Sequence, residues 1–204
     1  MDNILKEEYM SMKEYIKKQI INSYEPKMNI LRDENLLYTI ECVAKEIIKS
    51  YKNGNKVLVV GNGGSAADSQ HMVGELVSKF NFDRPGLPAI SLTTNTSIIT
   101  AIGNDYEYNR IFSRQVEANG NNGDILFAIS TSGNSKSVIE SINSANKKGI
   151  TTIGLVGAKN CDMDNLCDFI IKVPSNETPR IQESHIMIEH IICGIVEKEL
   201  FEDK

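Results

Sequence analysis

Apolar residues in the first quarter of the chain recur at spacings of three and four, which is typical of amphipathic helices. The pattern predicts a first helix over residues 4–24, ended by Pro26, because proline lacks the N–H that a helix interior needs. A second helix is predicted over residues 33–52, with Gly54 as its stop signal. The apolar positions of the first helix are Leu5, Tyr9, Met12, Ile16 and Ile20, and those of the second are Leu36, Leu37, Ile40, Val43, Ile47 and Ile48.

After residue 54, short apolar runs alternate with helical stretches. This alternation predicts an α/β fold: a five-stranded parallel sheet flanked by helices, with an N-terminal helical pair and a long C-terminal helix over 178–201. We expect one domain, 1–204, with the N-terminal helices in 1–53 and the α/β core in 54–204. The predicted strands are 56–60, 89–92, 124–129, 151–156 and 169–173, and the helices between them are 65–80, 96–103, 109–117 and 135–148.

Composition and charge exclude several classes of function. The 204 residues include 41% hydrophobic and 24% charged side chains, which are globular values. A net charge of −5 argues against nucleic acid or an anionic membrane as partner, and no apolar run could span a bilayer. The first residues are charged and contain no signal-peptide core, so we expect a cytoplasmic protein.

The four cysteines form no CxxC pair, which favours buried free thiols in a reducing compartment. A metal site that uses Cys161 and Cys167 stays open at this point, although no further ligand lies nearby in the sequence. The four are Cys42, Cys161, Cys167 and Cys193.

A glycine-rich turn over residues 61–64 joins the first predicted strand to a helix. Unpaired N–H groups and the positive end of the helix dipole make such a turn an anion site. The phosphate loop of NTPases needs a lysine after the last glycine, and none follows Gly64. The dinucleotide fingerprint has a third glycine where Ala66 stands, and it needs an acidic residue at the end of the second strand, where "AISLTTNTS" has none. The turn therefore indicates a small polar ligand other than a nucleotide.

A second loop, over residues 130–135, follows the third predicted strand with five side chains able to donate hydrogen bonds. One serine or threonine is enough to cap a helix, whereas a phosphate monoester would accept several of these donors. A merely well-capped turn is the alternative. Both loops follow strands, so both should lie at the carboxyl edge of the sheet, where open α/β folds bind ligands.

Only three histidines are present, and two of them, His71 and His190, are candidate catalytic residues. His71 and Glu75 are four residues apart and share a helix face, where they could also be an ordinary surface pair. His190 lies in a strongly apolar stretch, which on sequence alone favours a buried core histidine. We assign His185 a structural role. Asp105 could serve a turn or a sugar.

Four motifs together resemble the sugar-isomerase (SIS) family, and more narrowly its phosphoheptose isomerases: "GNGGSAADSQH", "AIGNDYEYNRIFSRQVEA", "ISTSGNS" and "RIQESHIMIEH". The resemblance extends over about residues 36–199. It implies conversion of sedoheptulose 7-phosphate to D-glycero-D-manno-heptose 7-phosphate through an enediolate. The product would be a heptose precursor for the biosynthesis of surface polysaccharide. The resemblance implies a zinc ion held by His71, Glu75, Gln182 and His190, and proton transfer by Glu75 and His190. The implied substrate contacts are Asn62, Gly63, Gly64, Ser65, Glu75, Asn104, Asp105, Ser130, Thr131, Ser132, Ser135 and Gln182.

Physical chemistry raises two difficulties for this metal site. Gln182 and His190 are roughly 12 Å apart along a helix axis at 1.5 Å per residue. A zinc-bound carboxylate also loses basicity, so Glu75 cannot be a strong ligand and a good base at the same moment. We expect either a loose bond between metal and carboxylate or a switch between the two roles.

The resemblance also implies a homotetramer with active sites at subunit interfaces, in which a neighbouring chain could supply His190 or the Asp105 loop. The helical pair over 1–53 could form that interface or could only cover the sheet. Two other functions stay open: a non-catalytic sugar-phosphate-binding adaptor or regulator, and isomerisation of a pentose or hexose phosphate.

Overall fold

The computed structural model describes residues 10–202, so residues 4–9 of the predicted first helix lie outside the described part. Two helices open the chain: α1, Met12–Arg32, and α2, Glu34–Lys52. Asp33 stands between them. Its backbone N–H bonds the Ile30 carbonyl at the end of α1, and its carboxylate accepts from the first amides of α2.

The predicted end of the first helix is wrong, because α1 continues through Pro26 to Arg32. Proline in a helix interior costs stability, about 3 kcal/mol relative to alanine, but tertiary packing can override that cost. Pro26 and Ile30 are the buried residues of α1. Arg180 on the last helix also donates to the Gln19 carbonyl (3.2 Å) and side chain (3.0 Å). These contacts hold the helix across its proline.

The predicted five-stranded parallel sheet is confirmed, with the strands in the order β2-β1-β3-β4-β5. Each strand agrees with its predicted range to within one residue. β1 is an interior strand that pairs with β2 on one side and β3 on the other, and its Val59 lies opposite Ser91 of β2 and Phe127 of β3. The strands are β1 Val57–Val60, β2 Ala89–Ser91, β3 Ile125–Ser130, β4 Thr151–Val156 and β5 Phe169–Lys172.

Helices connect the strands on both faces of the sheet, and the last one, α7 over Thr178–Phe201, matches its predicted bounds. Two short 3₁₀ turns, Tyr108–Arg110 and Asp162–Asn165, interrupt the loops. The connecting helices are α3 Gly64–Val77, α4 Thr96–Asp105, α5 Ser113–Asn119 and α6 Lys136–Lys147.

The sheet separates two apolar cores. Val57 and Val59 point to the face covered by α1, α2, α3 and α7, whereas Leu58 and Val60 point to the face covered by α4, α5 and α6. The alternation follows from the two-residue period of a strand. Because α2 shares its core with four strands and α7, we propose that the helical pair and the α/β core form one domain.

Two further expectations concern the burial of the cysteines and the absence of a membrane-spanning helix. Cys193 is buried and the other three cysteines are half-buried, all as free thiols, so the prediction of buried thiols is correct only for Cys193. Between residues 10 and 202, no helix carries an apolar stretch long enough to cross a bilayer.

Candidate active site

The glycine turn leads from β1 directly into α3. Gly63 stands at the N-cap with φ +57°, in the left-handed region that favours glycine, and as a glycine it brings no capping side chain. Gly61 is packed so tightly that a Cβ there would lie 2.7 Å from the backbone carbon of Ser65. Ser65 is buried, while Gly63 and Gly64 are exposed. The turn therefore presents backbone amides to solvent at the start of a helix.

The second loop lies beside the glycine turn, because β1 and β3 are neighbours in the sheet. The Asn62 amide donates to the hydroxyls of Ser135 (2.8 Å) and Ser137 (2.9 Å), and its carbonyl accepts from the Tyr108 hydroxyl (3.0 Å). Ser135 is the N-cap residue of α6, yet its side chain makes no capping bond. The alternative of an ordinary capped turn is therefore not supported at Ser135.

Ser130 and Ser132 shape the second loop from within. The Gly133 amide donates to the Ser130 hydroxyl (3.1 Å), and the Asn134 amide donates to the Ser132 hydroxyl (3.2 Å). Next to them lies a cavity of about 300 Å³ that reaches the loops after β4 and β5. Its polar lining includes Thr131, Ser132, Asn134, Lys159, Ser175 and Asn176. The cavity thus presents hydroxyl, amide and ammonium groups at the carboxyl edge of the sheet, where open α/β folds bind ligands.

Three candidate catalytic side chains meet between α3 and α7. His71 Nε2 lies 2.8 Å from His190 Nε2 and 3.2 Å from Glu75 Oε1. One ligand atom from each residue lies within 4.8 Å of the others. Among residues 10–202 this is the only group of three or more His, Cys, Asp or Glu side chains that could hold a metal ion. Cys161 and Cys167 do not belong to it, so a metal site at these cysteines is not supported.

The three histidines differ in burial. His190 is only partly buried, and its ring contacts those of His71 and Phe80 at centroid distances of 5.0 and 5.6 Å. The buried core histidine is His185, which has no exposed surface. Burial lowers the pKa of His185 to about 4, so this imidazole is neutral in the core.

Gln182 lies near the other end of the contact between α3 and α7. Its side-chain amide occupies the space that a Cβ on Gly64 would need. Gly64 and His71 are seven residues apart on α3, roughly 10 Å along the helix axis. Gln182 thus contacts the glycine turn in this chain, and its role as fourth metal ligand stays a prediction.

Asn104 and Asp105 end α4 rather than forming a turn, so a simple turn role for Asp105 is wrong. Both are exposed, and the Asn104 amide donates to the Asp105 carboxylate at 2.8 Å. The same segment reaches the glycine turn through Tyr108 and Asn62. Sequence reasoning missed Tyr108 and Ser137, since nothing in their spacing sets them apart from neighbouring polar residues.

A family profile for the SIS domain matches residues 28–157. A phosphoheptose isomerase of Aneurinibacillus thermoaerophilus is 58% identical over 193 residues, covering 95% of this chain and 98% of that protein. The chain belongs to the SIS-domain phosphoheptose isomerase family.

Other members of the family support this assignment. Phosphoheptose isomerase 2 of Campylobacter jejuni subsp. jejuni is 56% identical over 191 residues, 94% of this chain and 95% of that protein. The structure of a phosphoheptose isomerase from Francisella tularensis superposes with a TM-score of 0.88 at 35% identity, covering 93% of this chain and all of that one. The chain is accordingly an isomerase with the SIS fold.

Proposed function

We propose that this isomerase converts sedoheptulose 7-phosphate to D-glycero-D-manno-heptose 7-phosphate through an enediolate. The observation that carries the proposal is that ligand atoms of His71, Glu75 and His190 lie within 4.8 Å of one another. His71 and Glu75 lie on α3, which starts at the glycine turn, and His190 lies on the neighbouring α7. Relatives more than half identical over nearly the whole chain are named phosphoheptose isomerases, which supports a heptose phosphate as substrate.

The two loops would bind the phosphate and the sugar hydroxyls. Amides at the start of α3 and the hydroxyls of the second loop supply neutral donors to phosphate oxygens. The remaining proposed contacts come from Gln182 and the end of α4, at Asn104 and Asp105.

Glu75 and His190 would move the protons. In our proposal the Glu75 carboxylate takes a proton from C1 of the ketose, the C–H electron pair forms the C1=C2 bond, and His190 protonates the C2 oxygen. His190, now without that proton, takes the proton from O1, C1 becomes the aldehyde carbon, and Glu75 returns its proton to C2, so both groups end in their starting states. Two groups within 4.8 Å can serve adjacent carbons and their oxygens.

The same group has the donor types that zinc prefers, two imidazoles and a carboxylate. We propose that His71, Glu75 and His190 would hold the ion. Because the Gln182 amide of this chain lies at Gly64, Gln182 would act as the fourth ligand only from a neighbouring chain of the proposed tetramer. A bound zinc ion would polarise the substrate carbonyl as a Lewis acid. Because Glu75 would serve both roles, its bond to the ion should be loose while it acts as the base. Metal analysis of the purified wild type and of a His71→Ala variant tests the site directly.

We further propose a cytoplasmic homotetramer with active sites at subunit interfaces. Most of α1 is exposed although it is rich in apolar side chains, which soluble monomers rarely display over a wide area. The apolar residues exposed along it are Met12, Tyr15, Ile16, Ile20, Ile21, Tyr24 and Leu31. A second copy of the chain is the occupant that the family resemblance favours.

The experiment compares aldose formation from sedoheptulose 7-phosphate by wild type and Glu75→Gln. We expect turnover by wild type and a loss of at least about 100-fold in Glu75→Gln, with sugar-phosphate binding retained. If wild type and variant bind the sugar but are equally inert, the protein is a sugar-phosphate-binding adaptor. Faster turnover of a pentose or hexose phosphate would instead reassign the substrate.

A further inference from the structure

A buried carboxylate lies behind the candidate active site. Glu197 on α7 has no exposed side-chain surface, and it accepts hydrogen bonds from the amides of Phe80 (2.7 Å) and Asn81 (2.6 Å) and from Arg84 Nε (3.1 Å). Burial raises the pKa of Glu197, but these three donors outweigh burial and hold the pKa below its usual value. The carboxylate is therefore charged, and both of its oxygens accept hydrogen bonds.

Arg84, its partner, is buried as well, with 2% of its side chain exposed. Its guanidinium donates to the carbonyls of Leu76 (2.6 Å) and Glu75 (2.8 Å), the last turn of α3. A cation at this place satisfies carbonyls that have no partner within the helix. Arg84 thus ties the backbone of Glu75 to Glu197 on α7.

Phe80 extends the same arrangement to the other proton-transfer group. Its amide is held by Glu197, and its ring packs against the His190 ring with centroids 5.6 Å apart. The ring also lies so close to Gly194 that a Cβ there would approach Phe80 to 3.3 Å. One carboxylate therefore connects to Glu75 through Arg84 and to His190 through Phe80.

We propose that the Glu197–Arg84 ion pair, with Phe80, is a positioning clamp that sets the placement of Glu75 relative to His190. The inference rests on the proposed function, in which these two groups share one proton-transfer cycle. The hydrogen bonds of Glu197 and Arg84 reach the backbone of Phe80 and Glu75, not the side chains of Glu75 or His190. Buried ion pairs are poor net stabilisers compared with apolar pairs of similar size, so stability alone gives little reason for this one.

The test uses Glu197→Gln, which keeps the shape but removes the charge, and Phe80→Leu, which keeps an apolar side chain but removes the ring. Asp124→Asn is the matched control. Asp124 is equally buried and accepts three bonds, from the Lys56 amide (3.0 Å), Lys56 Nζ (2.6 Å) and the Asn121 amide (2.7 Å). It lies at the amino ends of the strands, away from the candidate site.

We expect Glu197→Gln and Phe80→Leu to lower kcat by at least about tenfold with KM within about twofold of wild type, because small misplacements of catalytic groups are costly. Their kcat–pH profiles should also shift. Asp124→Asn should lose stability while keeping the wild-type kcat and profile. If Glu197→Gln and Phe80→Leu, measured where they are folded, keep the wild-type kcat and profile, the clamp is overturned.

A second readout does not depend on activity. The chain has three histidines, so ¹³Cε1-labelled histidine gives three resonances. The His190 resonance should move in Glu197→Gln and stay in place in Asp124→Asn. An unmoved His190 resonance in Glu197→Gln contradicts the clamp, even if the wild type fails to turn over sedoheptulose 7-phosphate and the proposed function is rejected.

Discussion

Gly64 has no room for a side chain, because the Gln182 amide fills the space beside its Cα. Gly64→Ala should displace Gln182, raise KM for the sugar phosphate several-fold and cost about 1–3 kcal/mol in free energy of unfolding, as overpacking usually does. Steady-state kinetics and urea unfolding measure the two effects.

Gly74→Ala is the matched control on the same helix, since a Cβ there meets nothing within 4 Å. Alanine is the better helix former, so this variant should gain up to about 1 kcal/mol and keep the wild-type KM. Equal effects of the two substitutions would contradict the role given to the contact between Gly64 and Gln182.

Because His185 is buried, we expect the stability of the folded protein to decrease in acid. Burial lowers its folded pKa to about 4, below the usual value near 6.5. Between these two values the unfolded chain binds more protons than the folded one, so this contribution to stability is complete above about pH 6.5 and is lost as the pH falls toward 4.

We therefore expect the stability of wild type relative to His185→Gln to fall by up to about 1.4 kcal/mol per pH unit between about pH 6.5 and 4. Unfolding curves of both proteins across this range check it. A stability difference that does not change with pH would show that His185 is not buried in its neutral form.

Part of the candidate site follows from residue type and spacing alone. The spacing of His71 and Glu75 places them on one helix face, and they lie 3.2 Å apart. The meeting of His71 with His190, 119 residues later, followed only from the family resemblance. His185 and His190 lie in the same apolar helix, and periodicity could not tell which one is buried.

At the scale of elements, the strands were predictable because buried parallel strands are short apolar runs between turn residues. The end of α1 was not, since a proline is a strong local stop signal and only packing against α7 carries the helix past Pro26. Local sequence contains no information about that packing.

The exposed apolar surface of α1 leads to a prediction about assembly. Ile20 is 61% exposed on this surface, and Ile20→Glu should dissociate the proposed tetramer because it buries a charge in an apolar contact. Lys18→Glu, an exposed position on the same helix, is the control and should keep the wild-type mass. Light scattering after size-exclusion chromatography distinguishes them. An unchanged mass for Ile20→Glu would show that α1 is not the interface.

At the scale of the molecule, the candidate site depends on two helices that lie side by side. α3 and α7 touch at Gly64–Gln182 and again at His71–His190, so both run away from the carboxyl edge of the sheet in the same direction. The sequence predicted that edge as a phosphate site because both loops follow strands of a parallel sheet. It could not predict which face of α7 meets α3, because α7 buries residues on most of its sides.

The central claim is that the protein's own carboxylate moves a carbon-bound proton of a heptose phosphate. Incubation of sedoheptulose 7-phosphate in D₂O, followed by NMR, tests this directly. We predict deuterium at C2 of the aldose and at C1 of the remaining ketose with wild type, and neither with Glu75→Gln. Aldose formed without any deuterium, or labelled as fast by Glu75→Gln as by wild type, would contradict the account.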